Sequence, residues 1–305
     1  MPPVPDYHQS VWDDTLAAHV TARAGEWLAE DLGHECDWTT LATVPVEAEA
    51  RLNVVARRAG VVAGLPAAAI VAHVADPRVR LAAEVVDGTA VEVGRVVATL
   101  AGPTRSVLTA ERTVLNLLGR MSGVASGMAR LVAAVAGTHC RVYDTRKTIP
   151  GWRLLDKYAA RMGGGWNHRH GLDDAILIKD NHRAALAARG IDAAGAVRRA
   201  REFVTATFPP TRAASLVVEI EIDALADLAA VLEAGPDVIL LDNMGPADLA
   251  AAVATRDRLR PGIALEASGG IRPETVAAVA RTGVDRVSSG WPTHDAPWLD
   301  LALDW

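Results

Sequence analysis

The chain has 305 residues, half of them hydrophobic and 22% charged, with a formal net charge of −6. That length and apolar share suit one large buried core or two ordinary ones and exclude a disordered chain. The acidic balance excludes a general nucleic-acid or anionic-membrane binder, so any anion site has to be built locally.

The opening residues, MPPVPDYHQS, hold no basic stretch followed by an apolar one, so no secretory signal is expected. Cys36 and Cys140 are the two cysteines, and they match no metal or disulfide spacing; this suits a reducing compartment or indifference to redox, and a cytoplasmic location is the expectation. Residues 10–32 carry Val11, Leu16, Val20, Trp27 and Leu28 at amphipathic helical spacing. The apolar run 59–75 is interrupted by Pro66 and His73, which suits a buried strand–turn–helix and not a membrane span. Across 44–100, short Val-rich runs are broken by Asp87-Gly88, Gly94 and Gly102-Pro103, so this region is expected to be mostly β with one helix near 67–75. Arg112, Asn116 and Arg120 then recur four apart, predicting a helix over 106–121 with a polar stripe and a second helix over 125–136 after Gly123.

From residue 140 onward, apolar runs alternate with helical ones. Strands are expected at 140–145, 175–180, 216–222, 237–242, 263–268 and 285–290, with helices at 194–203, 225–234, 246–260 and 273–281 between them. Consecutive βα units predict a parallel sheet, open or closed. Several of these strands end in polar residues, as in Asp144-Thr145-Arg146-Lys147, Lys179-Asp180-Asn181-His182 and Asp242-Asn243. In βα folds chemistry gathers at strand C-termini.

Three constellations stand out. Between Arg141 and His182, eight Lys and Arg face five Asp, a local balance of +3 in an acidic chain. Arg offers a planar fork and Lys a point charge to carboxylate or phosphate. Arg146, Lys147, His168, Arg169 and Lys179 fall at strand ends or in the glycine-rich loop, whereas Arg153, Lys157 and Arg161 have the spacing of a solvated helix face. The second constellation is acidic. In VVEIEI, alternation sets Glu219 and Glu221 opposite Val218, Ile220 and Ile222, and Asp242 closes the next strand. Two carboxylates on a strand otherwise fit for burial need counter-charges or a metal; Glu221 and Asp242 suit Mg²⁺ or sugar hydroxyls, with structural salt bridges to the nearby lysines as the alternative reading. The third is glycine: Ser268-Gly269-Gly270 and Ser289-Gly290 follow successive strands and suit a phosphate at backbone amides. His168, His170 and His182 have a spacing that zinc accepts, but Arg169 and Lys179 would place cations beside the metal.

The stretch DTRKTIPGWRLLDKYAARMGGGWNHRHGLDDAILIKDNH resembles the signature of the quinolinate phosphoribosyltransferases. The likeness continues in order through EDLGHECDWTT, GVVAGLP, TAERTVLNLLGRMSG, VEIEID, ILLDNM, LEASGGI and GVDRVSSG, nearly the whole chain. A molybdenum-associated relative shares the DTRKT motif but lacks the IKDNH ending, present here as Ile178 to His182. The resemblance implies an α/β fold with an N-terminal α/β sandwich domain followed by an incomplete, about seven-stranded α/β barrel. It assigns 1–122 to the sandwich and 123–291 to the barrel, with the tail 292–305 packing back on the first domain.

It also implies transfer of phosphoribose from phosphoribosyl pyrophosphate to the nitrogen of quinolinate, with loss of CO₂ and pyrophosphate, to give nicotinate mononucleotide for NAD synthesis. By motif match, Arg146, Lys147, His168, Arg169 and Lys179, with Thr145 beside them, would grip the quinolinate carboxylates and approach the donor. Arg112 would join them from the neighbouring subunit of a homodimer or higher homo-oligomer. Glu221 and Asp242 would bind the ribose hydroxyls and Mg²⁺, while Ser268, Gly269, Gly270, Ser289 and Gly290 would hold a phosphate, with His294 close by. Lys147, Lys179, Glu221 and Asp242 form the catalytic set, and neither nucleic acid nor membrane is an expected partner.

Four places depart from the family pattern: Trp152, Trp166, Asp173 and the turn Ser289-Gly290-Trp291-Pro292. The bulk of Trp166 or Trp291 would narrow the pocket or reshape the phosphate loop. Two other readings therefore stay open: transfer to a different pyridine or aromatic carboxylate, and a non-catalytic phosphosugar-binding sensor on the same barrel.

Overall fold

The computed structural model describes residues 5–305. The chain divides into two compact units that interleave along the sequence. One holds residues 10–129, 149–164 and 292–305; the other holds 5–9, 130–148 and 165–291.

The first unit is a helix-covered antiparallel sheet. It contains α1 (Asp14–Leu32), α2 (Trp38–Thr43), β1 (Glu49–Ala56), β2 (Gly60–Val61), α3 (Leu65–Ala75), β3 (Arg80–Ala83), β4 (Ala90–Val91), β5 (Val96–Pro103), most of α4 (Thr104–Ala134), and β12 (Leu301–Asp304) from the C-terminal end. The sheet order is β12-β1-β5-β3, with β2 and β4 forming a separate pair. β1 alternates as a one-sided strand should: Ala50, Leu52 and Val54 are buried, while Glu49 and Arg51 are exposed. Asp13 caps α1 by accepting the Leu16 N–H, and the Asp87 carboxylate accepts the Gly64 and Leu65 N–H groups at the start of α3. α5 (Arg153–Met162) belongs to the same unit.

Two expectations need correction here. The predicted break at Gly123 does not occur, because α4 runs unbroken for 31 residues. Glycine costs an isolated helix only about 1 kcal/mol, and Gly123 is required for another reason. A Cβ there would stand 2.7 Å from the Pro297 carbonyl oxygen, so the glycine lets the returning chain pass against the helix. Residues 149–164 and 292–305 group with the first unit, and 5–9 with the second. The second correction concerns Lys157, which is fully buried and not on a solvated face; α5 also buries Leu155, Asp156, Tyr158, Ala159 and Ala160. In the polar stripe of α4, Arg112 and Asn116 are exposed, whereas Arg120 turns inward and meets the buried Asp156 at 2.9 Å.

The second unit is built of βα repeats. Its strands are β6 (Arg141–Tyr143), β7 (Ile176–Ile178), β8 (Val218–Ile222), β9 (Val238–Asp242), β10 (Ala264–Ser268) and β11 (Arg286–Ser288). Between them run α6 (Asp180–Ala187), α7 (Ala193–Thr207), α8 (Pro210–Ser215), α9 (Leu228–Ala234), α10 (Pro246–Leu259) and α11 (Val276–Ala280); α12 (Trp291–His294) follows β11. The six strands are parallel in the order β6-β11-β10-β9-β8-β7. Trp166 adds a single parallel bridge to Tyr143 on the outer edge of β6, all that there is of a seventh strand among the described residues. Val218, Ile220, Ile222, Val238, Ile239 and Leu241 are buried, as strands covered on both faces must be.

Candidate active site

A parallel sheet delivers all its strand C-termini to one end, and most of the expected residues stand there. Thr145, Arg146 and Lys147 follow β6, and Lys179 follows β7. Glu221 lies in β8, Asp242 ends β9, Ser268 ends β10 ahead of Gly269 and Gly270, and Ser289 and Gly290 follow β11. The pairing of Ile178 with Ile220 brings Lys179 level with Glu221, and the Lys179 Nζ meets Glu221 Oε2 at 3.1 Å. Asp242 pairs in register with Ser268 on the next strand. His182 accepts the Lys179 backbone N–H through Nδ1 at 3.0 Å, which fixes the start of α6. Gly269, at φ +93°, lies so close to Asn243 that any side chain there would overlap it. Arg112, on α4, and His294, at the end of α12, belong to the other unit, and both are exposed.

The Arg146 Nε is buried yet has no hydrogen-bond partner among the described residues. Arg169 is buried, and its Nη1 donates to the Ala175 carbonyl at 3.2 Å. Burial, and after it the repulsion of the neighbouring Arg146 guanidinium, lowers the Arg169 pKa from its ordinary value. Two guanidiniums held near each other, one with an unsatisfied buried N–H, make a site for an anion.

A buried network that the sequence did not disclose adjoins Arg169. His168 Nδ1 accepts the Arg169 backbone N–H at 2.9 Å, so the neutral ring carries its proton on Nε2. That Nε2 lies 3.2 Å from Glu219 Oε2 and 3.5 Å from Glu266 Oε1. The Tyr7 hydroxyl donates to Glu219 and its ring stacks on His168, centroids 4.4 Å apart. Burial opposes charge on Glu219, but His168 and the hydrogen bonds from His168 and Tyr7 hold its pKa below the ordinary value. Burial and the Glu219 charge push Glu266 the other way, up to about 7.

His168, Glu219 and Glu266 place one ligand atom each within 4.8 Å of one another. They do not suit a cation. With Nδ1 already accepting a hydrogen bond, metal on Nε2 would require an imidazolate, and the buried Arg286 guanidinium already lies close enough to bear on both carboxylates. His170 lies 3.6 Å from Asp174 and, like His182, joins no metal cluster among the described residues.

Comparison with known proteins places the chain in a family. A sequence model described as the C-terminal domain of quinolinate phosphoribosyl transferase matches residues 124–304, and one for the N-terminal domain matches 37–122. The chain belongs to the quinolinate phosphoribosyltransferase family. It is 43% identical over 279 residues to the nicotinate-nucleotide pyrophosphorylase [carboxylating] of Mycobacterium leprae, covering 91% of this chain and 94% of that one. The probable enzyme of the same name from Synechocystis is 40% identical, over 91% and 90% of the two chains. Among solved structures, the nicotinate-nucleotide pyrophosphorylase of Francisella tularensis superposes with a TM-score of 0.87 at 34% identity, over 98% of this chain and 99% of that chain.

The residues that depart from the family pattern can now be located. Trp166 packs against Tyr7, Tyr143, Ala175, Val217, Val238 and Ala264. Most of these stand at or just before strand N-termini, so Trp166 plugs the end of the sheet opposite the catalytic candidates instead of narrowing their pocket. The Arg141 guanidinium covers its ring at 4.2 Å. Trp152 packs on Trp27 in the sandwich unit, and Trp291 is buried under Arg130. Ser289 uses its hydroxyl internally, donating to the Ile271 carbonyl at 2.7 Å and accepting the Trp291 N–H. Glu219 takes His168 and Tyr7 as its partners, and the alternative of a lysine salt bridge is not what forms there. Of the residues missed, Glu266 and Arg286 had a signal, a charge inside a strand otherwise fit for burial; Tyr7 had none.

Proposed function

We propose that this chain is a decarboxylating quinolinate phosphoribosyltransferase, making nicotinate mononucleotide, CO₂ and pyrophosphate from quinolinate and phosphoribosyl pyrophosphate for NAD synthesis. The observation that carries this proposal is the pair Arg146 and Arg169, two guanidiniums near enough to repel each other, with the Arg146 Nε buried and unpartnered among the described residues, as suits a substrate carboxylate. Arg146, Lys147, Arg169 and Lys179 grip the two carboxylates, with Thr145 holding the turn by accepting the Lys147 N–H at 3.1 Å. His168, whose two ring nitrogens are directed at protein groups, orients Arg169 in place of touching the substrate. The amides of Gly269 and Gly270, with Ser268 and Gly290, cradle the donor phosphate, Ser289 shaping the loop behind them.

Glu221 and Asp242 hold the ribose hydroxyls and stabilise positive charge growing at the anomeric carbon. As oxygen donors at neighbouring strand ends they also fit Mg²⁺: Lys179 engages one Glu221 oxygen and Asn243 one Asp242 oxygen, leaving the second of each. When bound, the ion neutralises the departing pyrophosphate. Alignment does the rest. The ring nitrogen's lone pair forms the new C–N bond as the C–O bond to pyrophosphate breaks. The resulting pyridinium takes up the electron pair of the C–CO₂ bond as CO₂ leaves, and a proton replaces it.

Arg112, exposed on α4, completes the site from a second copy in a homodimer or larger homo-oligomer. Two free cysteines suit a cytoplasmic enzyme, and no helix among the described residues is long and apolar enough to cross a membrane. The test is an incubation with phosphoribosyl pyrophosphate, Mg²⁺ and either quinolinate or nicotinate, followed by mass spectrometry. Nicotinate mononucleotide from quinolinate alone is the expected outcome. Product from nicotinate would move the assignment to a non-decarboxylating transferase, and phosphosugar binding without product would favour a sensor.

A further inference from the structure

The segment Asp6–Gln9 lies outside both family matches, which begin at residues 37 and 124. Yet it is built into the floor and free edge of the barrel unit. Asp6 accepts the Tyr143 hydroxyl at 2.8 Å and pairs with Arg141 at 3.5 Å and Arg286 at 3.4 Å. Tyr7 is buried in the same aromatic core, with its ring on His168 and its hydroxyl on Glu219.

Gln9 does something more specific. Asn167 follows the Trp166 bridge at the edge of the sheet, where no further strand pairs among the described residues. The Gln9 carboxamide accepts the Asn167 N–H at 2.8 Å and donates to the Asn167 carbonyl at 3.1 Å. One side chain thus supplies both halves of the pairing that a neighbouring strand would give. From Asn167 the connections run straight to the anion wall. Asp144 accepts from the Asn167 side chain at 2.7 Å and from the His168 N–H at 2.8 Å, and His168 Nδ1 accepts the Arg169 N–H.

We propose that Tyr7 and Gln9 are positioning residues that hold the Asn167–Arg169 arm so that the Arg169 guanidinium meets a substrate carboxylate. Neither touches the substrate. Both act by removing alternative positions of the arm, as groups supporting a reactive constellation do. The proposal rests on the dicarboxylate reading of the site, so its test includes a measurement that requires no turnover.

Steady-state kinetics of Tyr7→Ala, Tyr7→Phe and Gln9→Ala in the full chain provide the first readout. Tyr7→Ala and Gln9→Ala are expected to raise KM for quinolinate about tenfold, with KM for phosphoribosyl pyrophosphate within about twofold of the parent. Tyr7→Phe keeps the ring on His168 and should return KM to within about threefold. Gln9 lies outside the aromatic core, so Gln9→Ala decides the matter if Tyr7→Ala does not fold. The second readout is calorimetric binding of phthalate, a ring dicarboxylate with no nitrogen to react, which should weaken in parallel. A fall in thermal stability with both KM values and phthalate affinity unchanged would overturn the proposal. Failure of the parent chain to convert quinolinate, with phthalate binding weakened by Gln9→Ala, would sink the functional assignment and leave the positioning role standing.

Discussion

Lys179 stands at the end of a buried strand, where the sequence pattern already made a solvated surface charge a poor explanation. Its ammonium is half-exposed and paired with Glu221, and an ion pair of that kind contributes only about 0–1 kcal/mol to stability. Lys179→Ala and Lys147→Ala should therefore leave the unfolding transition nearly unchanged while lowering kcat by at least about a hundredfold, the usual cost of one electrostatic contact to a reacting centre. Near-parental kcat in either variant would contradict the roles given to them. Glu266 carries a different prediction. Its carboxyl, pushed up to about 7 by burial and by Glu219, is raised above its unfolded value of 4.5. The stability it contributes is fully present below pH 4.5 and is lost as pH rises through 7. Glu266→Gln should flatten the fall in melting temperature between pH 5 and 8; an unaltered slope would show that Glu266 does not titrate in that window. Lys179, Glu221 and Asp242 were legible because strand ends can be located from alternation. Tyr7 was not, because its role depends on a contact spanning 212 residues that no local pattern encodes.

At the level of elements, most strands and helices of the βα region were legible from apolar runs bounded by turn residues, within a residue or two at most ends. The strands proved shorter than expected at β6 and β7, three residues each, because their last polar residues turn away from the sheet to form the site. The failure at Gly123 is the more instructive case. A glycine inside a helical pattern signals either a break or a close approach, and only the tertiary structure, with Pro297 and Trp298 against α4, decides between them. Gly123→Val should accordingly destabilise the protein by about 1–3 kcal/mol, the cost of overpacking a tight contact. A shift in the denaturant midpoint with an unchanged slope would register it. No loss of stability would mean that the C-terminal chain does not pass so close. Trp166 misled for a related reason. Its place in the glycine-rich loop suggested a wall of the pocket, but the parallel bridge to Tyr143 turns its indole toward the strand N-termini.

At the scale of the whole molecule, the order of elements pointed to a parallel βα fold but left it open or closed, and the motif resemblance supplied the choice. The return of the tail was implied by the resemblance, and it pairs β12 with β1, joining Asp304 to Asn53 in register. The grouping of 149–164 with the sandwich unit could be derived from neither, since long-range returns leave no periodic trace. What unites the molecule's chemistry is a basic wall on an acidic chain, serving one dicarboxylate and one phosphosugar. The claim is tested most directly by quinolinate labelled with ¹³C in the carboxylate next to the ring nitrogen, incubated with phosphoribosyl pyrophosphate and Mg²⁺ while ¹³CO₂ and nicotinate mononucleotide are quantified together. The account predicts that the two appear in equal amounts and that none of the label remains in the nucleotide. Nucleotide that retains the label, or CO₂ released without nucleotide, would contradict it.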